Sequence, residues 1–208
     1  NYKKNNVIDY DCIIPVNGGV DSFYTVYYVK EILKLKPLCV HYNSLYTTSL
    51  GHSNLSRLRR EFNVDIHMHI PSREQVIAIN KATIYHLDSM YWHVHAGSTS
   101  YPLHIATRYK IPLIIWGSHE STEQVGMYKH NDKVEMNRRY RHDHHLMGIE
   151  IEELEKLDPQ ITKFNNNIYK YPDYNLIYNE GIRGIYLSNF IPWNQKNNHE
   201  LMIKKYNY

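Results

Sequence analysis

The chain has 208 residues, 42% hydrophobic and 22% charged, with a formal net charge of +3. That is enough for one sizeable core, or a core with a small appendage, in an ordinary globular composition. The charge mildly favours anionic ligands without requiring nucleic acid. No run of about 18 apolar residues reads as a membrane span, and Cys12 and Cys39 sit in expected strands, as buried thiols of a cytoplasmic protein do.

The first strand is expected at Cys12 to Val16. It runs into Asn17-Gly18-Gly19-Val20-Asp21-Ser22 and then a helix from Asp21 to about Lys34, with Phe23, Val26, Tyr27, Val29 and Leu33 inward. Paired glycines let the backbone approach a ligand closely. The helix start behind them presents unpaired N–H groups and a partial positive charge. Together they form an anion cradle suited to the pyrophosphate end of ATP. A Walker loop is excluded because no Lys precedes Ser22, and the dinucleotide Gly-x-Gly-x-x-Gly spacing is missing. The plain alternative is a strand-to-helix turn with Asp21 as N-cap.

Pro37 to His41 reads as the second strand and Gly51 to Phe62 as a helix. Asp65 to Ile70 reads as the third strand, followed by a helix from Ser72 to about Leu87. Tyr101-Pro102 is expected to open another helix, ending near Tyr109, before a fourth strand at Pro112 to Trp116. Further on, Asp132 to Leu146 reads as helical and Asn165 to Asn179 as irregular. Gly184 to Phe190 reads as a strand and Gln195 to Lys205 as a closing helix.

Alternating strands and helices imply an α/β fold with a doubly wound parallel sheet. Such sheets hold ligands beyond the carboxyl ends of their strands, at the point where strand order reverses. That puts Asn17 to Ser22, His41 to Leu45 and Gly117 to Glu120 along one rim. The expected organisation is an ATP-binding α/β unit over 8–120, with a small α+β extension of the same domain over 121–208 that binds substrate.

Taken in order, the segments resemble the N-acetyl sugar amidotransferases of the PP-loop ATP pyrophosphatase superfamily, whose loop is usually Ser-Gly-Gly-x-Asp-Ser. The matching pieces are Tyr10 to Ile14, the loop itself, Trp92 with His95-Ala96-Gly97, and Tyr101-Pro102. They continue with Ile114 to Gly117, Gly126-Met127-Tyr128 with Asn131-Asp132, Arg141-His142, Tyr171-Pro172, Gly181 to Asn189, and Trp193. The resemblance implies ATP and Mg²⁺ as cofactors, a nucleotide-linked N-acetyl sugar as substrate, and ammonia from separate glutaminase subunits. The implied product is an acetamidino sugar for surface polysaccharide or flagellin glycans.

In that chemistry the acetamido oxygen attacks the α-phosphorus of ATP, pyrophosphate leaves, ammonia adds at carbon and AMP departs. The backbone N–H groups of Gly18, Gly19 and Val20 would stabilise the leaving pyrophosphate. Asn17 and Ser22 would donate to phosphate oxygens, and Asp21 would lie near Mg²⁺ or serve as the helix cap. His41, Tyr42 and Asn43 are expected around adenine and ribose, or as an ordinary polar loop, with Trp116 and Gly117 adjoining the nucleotide. His95, Arg141, His142 and Arg183 are the substrate-binding expectation, and Glu120 the catalytic one, because Ser118 stands where the family commonly has Glu. The family's Cys-x-x-Cys is replaced by Tyr91-Trp92-His93-Val94, so no structural zinc is expected. Two other classes remain open: a PP-loop ligase acting on tRNA, and a non-catalytic nucleotide-binding protein.

Overall fold

The computed structural model describes residues 9–119 and 135–208. The strands are β1 (Cys12–Pro15), β2 (Pro37–Tyr42), β3 (Asp65–His69), β4 (Leu113–Trp116), β5 (Glu135–Met136) and β6 (Arg183–Tyr186). They form one sheet in the order β3-β2-β1-β4-β6-β5, parallel except that β5 runs antiparallel to β6. The helices are α1 (Val20–Tyr27), α2 (Ser49–Phe62), α3 (Arg73–Leu87), α4 (Trp92–Tyr109), α5 (Arg138–Tyr140), α6 (Ile151–Leu157), α7 (Tyr174–Asn179) and α8 (Gln195–Tyr206). A π-helical turn extends α1 over Tyr28–Ile32, and another extends α5 over Arg141–His145.

Successive strand residues face opposite sides of the sheet. Ile13, Val40 and Ile114 pack with Ile79, Trp92, Ala96 and Ile105 of α3 and α4, and with Leu154 and Ile177 of α6 and α7. Ile14, Cys39 and Ile115 pack with Phe23 and Val26 of α1, Leu58 and Phe62 of α2, and Met202 of α8. Both faces are therefore covered, which is why these strands read as continuous apolar runs. From β1 the chain winds outward through β2 to β3 with α1 and α2 on one face. It then crosses back over the other face through α3 and α4 to β4. The order reverses between β1 and β4, so their carboxyl ends open onto a crevice.

Four expected elements differ, one being the strand expected over Gly184 to Phe190, which ends at Tyr186 and passes into a 3-10 turn over Leu187–Asn189. The helix expected to open at Tyr101-Pro102 is the second half of α4, with Pro102 inside it. Proline removes one helix bond and crowds the turn before it. There the Thr99 hydroxyl donates to the His95 carbonyl and the Ser100 hydroxyl to the Ala96 carbonyl, both at 2.6 Å. Burial of Trp92, Ala96, Leu103 and Ala106 holds both halves on the sheet. Within the expected helix over 132–146, Glu135–Met136 is β5, paired to β6, and helix begins only at Arg138; residues 132–134 lie outside the described residues. The segment expected to be irregular after Asn165 contains α7, started by Asp173, whose side chain accepts from Asn175 N–H.

Candidate functional site

Val16 leaves β1 with its N–H donating to the Val40 carbonyl, 2.9 Å away. The chain then turns at Gly18, where φ is +81°. A Cβ on Gly18 would stand 2.5 Å from the Gly51 carbonyl oxygen of α2, so both backbone sign and packing call for glycine. Gly19 is the N-cap of α1 in extended conformation, with no side chain to cap the helix. Val20, Asp21 and Ser22 are the first three helical residues, so their N–H groups have no intrahelical acceptor. No other acceptor serves them among the described residues. They face the carboxyl ends of the sheet at the reversal point, which is where an anion gains from the helix dipole.

Asn17 organises the rest of the loop. Its Oδ1 accepts from Gly19 N–H (2.9 Å) and from the Ser22 hydroxyl (2.7 Å), while its own N–H donates to Ser22 Oγ (3.1 Å). The expectation that the Gly19 amide and Ser22 hydroxyl donate to phosphate is corrected here: in this arrangement both are engaged by Asn17. The cradle amides are those of Val20, Asp21 and Ser22, with Asn17 Nδ2 as a further donor on an exposed side chain. The N-cap alternative for Asp21 is also removed, since the cap is Gly19. Asp21 Oδ1 is buried without a hydrogen-bond partner among the described residues, 3.7 Å from His199 Nε2.

The loop forms one wall of a cleft of about 810 Å³. Thr48, Gly51 and Asn54 at the start of α2 adjoin it. His95, Ser98 and Thr99 of α4 stand opposite, and Trp116, Gly117 and Ser118 close the β4 side with Met136, His145 and Tyr186. His41 Nδ1–H donates to the Val16 carbonyl at 2.7 Å, and burial lowers the imidazole's pKa. His41 therefore braces the end of β1 as a neutral ring. Tyr42 shares its hydroxyl with Tyr169 (3.0 Å) and His93 Nδ1 (3.2 Å), and its ring fills the space beside Gly97, where no Cβ fits. Asn43 does not line the cleft: its Oδ1 accepts from Leu45 N–H (3.0 Å) and its N–H donates to the His69 carbonyl (2.9 Å), closing the β2 turn.

On the β4 side, a Cβ on Gly117 would stand 2.9 Å from Thr25 Oγ1, and the Gly117 carbonyl accepts from Ser188 N–H at 3.2 Å. Trp116 lies against Tyr186, with ring centroids 6.4 Å apart. His95 meets His145 edge-on at 5.8 Å, and burial pushes the His145 pKa down to about 3. Glu120 lies outside the described residues.

Three substrate-binding expectations are corrected. Arg141 is fully buried: Nε donates to Thr99 Oγ1 (3.0 Å), Nη1 to Glu150 and Nη2 to the Tyr169 carbonyl (2.6 Å). Every guanidinium nitrogen is spent inside the fold, tying α5 and α6 to α4. His142 points into a separate surface hollow and bonds Asp143 Oδ1 at 2.8 Å. Arg183 starts β6, opposite Leu113, at the amino edge of the sheet, and forms an ion pair with Glu135. Of that set only His95 lines the cleft. Neither cysteine lines it; both thiols are buried and raised in pKa by desolvation, Cys39 to about 12, so neither supplies a thiolate.

Sequence reading missed Thr48, Asn54, Met136, His145, Tyr186 and Tyr208 as cleft residues. Thr48 alone carried a local signal, as a threonine just before a helix; its Oγ1 accepts from Gly51 N–H at 3.1 Å. The others reach the cleft only through tertiary packing.

No protein-family model matches the chain, and no curated protein matches it. Among solved structures, it is similar to the NH3-dependent NAD synthetase of Campylobacter jejuni subsp. jejuni in complex with the nitrate ion, at 14% identity and a TM-score of 0.45, over 86% of each chain. It is also similar to the NMN synthetase of Francisella tularensis, at 12% identity and a TM-score of 0.44, over 96% of this chain and 79% of that one. In fold class the chain is an α/β protein with a six-stranded, mostly parallel sheet and helices on both faces. No helix among the described residues is long and apolar enough to cross a membrane.

Proposed function

We propose that this chain binds ATP by its triphosphate and transfers the AMP half to an acceptor, releasing pyrophosphate. The observation that carries this reading is the row of free amides at Val20, Asp21 and Ser22, behind a positive-φ glycine, at the point of strand reversal. Charge develops on the leaving pyrophosphate, and amides already fixed in place stabilise it without reorganising. The acceptor lies across the cleft, against His95, Ser98, Trp116 and Tyr186. The finer form of the reading, carried by the sequence resemblance alone, makes that acceptor the acetamido group of a nucleotide-linked N-acetyl sugar, with ammonia from glutaminase partners completing an amidine. Such a sugar's diphosphate draws nothing from Arg141, His142 or Arg183.

Mg²⁺ fits Asp21, whose buried Oδ1 has no hydrogen-bond partner among the described residues and borders the cradle. No group of three or more His, Cys, Asp or Glu gathers among the described residues, and Mg²⁺ asks only for one or two carboxylates beside phosphate oxygens and water. When bound, it would share the negative charge of the polyphosphate. A second reading, a nucleotide binder that does not turn over, is favoured by one observation: Asn17 engages the Gly19 amide and the Ser22 hydroxyl.

The test is incubation with ATP, Mg²⁺, ammonium and a panel of UDP-linked N-acetyl sugars, read by mass spectrometry. AMP and pyrophosphate released only with an acceptor support adenylyl transfer. A sugar product lighter by about 1 Da, with NH in place of O at the activated carbon, supports the finer form. Binding without AMP favours the second reading.

A further inference from the structure

The Gly18 carbonyl of the phosphate loop is held by residues from α2 and from the segment after α8, which also line the cleft. Tyr208 donates its hydroxyl to the Gly18 carbonyl at 2.8 Å, and Asn54 Nδ2 donates to the same oxygen at 3.2 Å. Asn54 Nδ2 also lies 3.1 Å from the Tyr208 hydroxyl, closing a three-membered network. Tyr208 is seated by its ring, which meets Phe23 of α1 edge-on with centroids 5.2 Å apart. Its backbone approach is fixed by Arg57, one turn beyond Asn54 on α2, whose guanidinium donates to the Tyr206 and Asn207 carbonyls at the end of α8. A cation there also suits the negative end of that helix.

We propose that Tyr208 and Asn54 are positioning residues for polyphosphate, acting by occupying the Gly18 carbonyl oxygen and so fixing the Gly18–Gly19 peptide; the inference rests on the ATP-binding reading above. A peptide unit is planar, so its C=O and N–H point in opposite directions. Gly18 lacks a side chain and has positive φ, so the Gly18–Gly19 peptide is the unit of the loop freest to rotate. Turned inward, its carbonyl oxygen would face phosphate oxygens and cancel part of the field of the α1 amides. Two donors on that oxygen fix the peptide's orientation, which aims Gly19 N–H at Asn17 Oδ1. Burial raises the Tyr208 pKa, which keeps the phenol protonated and donating.

The experiment uses the full chain and Y208F, which removes the hydroxyl and leaves the ring on Phe23. Calorimetric titration gives affinities for ATP, pyrophosphate and AMP, and backbone hydrogen exchange on the nucleotide-free proteins reports the loop directly. Loss of one neutral hydrogen bond corresponds to a weakening of about three- to tenfold. That weakening is expected for ATP and pyrophosphate, with AMP changed less than twofold and Gly19 exchange faster in Y208F. A merely structural role would weaken all three ligands alike. N54A is expected to reproduce the pattern. Equal ATP and pyrophosphate affinities with unchanged Gly19 exchange in Y208F would overturn the positioning role. If neither protein binds ATP or pyrophosphate, the ATP reading fails and the polyphosphate role fails with it, while faster Gly19 exchange would show the brace alone.

Discussion

The two loop glycines make opposite demands, and substituting each in turn tests the site's geometry. In Gly18→Ala the new side chain enters left-handed backbone at φ +81°, a cost of about 1–2 kcal/mol for an L-residue. Its Cβ also stands 2.5 Å from the Gly51 carbonyl oxygen, backbone that cannot swing aside as a side chain would. Overpacking of that kind adds about 1–3 kcal/mol, so the total is about 2–5 kcal/mol if the loop keeps its shape. The loop can lower that cost only by pulling away from α2, which breaks the bonds from Tyr208 and Asn54 to the Gly18 carbonyl. Gly19→Ala meets none of this. Its backbone is at φ −80°, ψ 160°, and the nearest neighbour of its Cβ is the Asn17 side-chain oxygen at 3.0 Å. Its cost is under about 1 kcal/mol. Urea unfolding and ATP titration of both variants provide the assay. Gly18→Ala should lose stability, or at least tenfold in ATP affinity, while Gly19→Ala stays within threefold of the parent. Equal behaviour of the two variants would refute the loop geometry.

Arg141→Met leaves the buried Glu150 with only the 3.7 Å ion pair to Arg138, so it should cost up to about 3–5 kcal/mol in urea unfolding while the folded fraction binds ATP as the parent does. Loss of ATP affinity without loss of stability would instead return Arg141 to the ligand site. Asp21→Asn should leave Mg²⁺-free ATP binding within threefold and remove the gain that Mg²⁺ brings; an undiminished Mg²⁺ effect would exclude Asp21 as the ion's ligand. Burial lowers His93 to about 4 and His145 to about 3, against about 6.5 when unfolded. Between those values the unfolded chain binds the extra protons, so stability is full above about pH 6.5 and falls with acidification, at about 1.4 kcal/mol per pH unit for each histidine. Chemical unfolding at pH 7 and pH 5 checks this, and His93→Asn should flatten the slope.

The order β1-α1-β2-α2-β3-α3 was legible because β1 and β2, buried on both faces, leave apolar runs such as Cys12-Ile13-Ile14 between clear turn signals, and the partly exposed edge strand β3 stops short of Pro71. The loop was legible for the same reason: two glycines between such a run and a helix are a local signal. α4 was not, since Pro102 normally starts a helix and only burial of residues on both sides of it makes one continuous element. β5 is two residues long and exists only by pairing with β6, nearly fifty positions further along the chain. The site followed the same division. Asn17, Gly18, Gly19, Asp21, Ser22 and His41, singled out from local pattern, all line the cleft. Arg141 was misread because it stands in a run rich in Arg and His and in a segment that carries the resemblance, while a π-helical turn carries it inward to Glu150. Tyr208 and Asn54 carry no local signal, as they reach Gly18 only when α8 and α2 pack together.

The central claim is that the amides opening α1 receive a polyphosphate, and amide NMR of the labelled chain tests it most directly. Titration with ATP, and separately with pyrophosphate, should move the Val20, Asp21 and Ser22 resonances most and downfield, with AMP moving them far less. Saturating ATP that leaves those three resonances in place, or moves only residues away from the β1 and β4 ends, would contradict it.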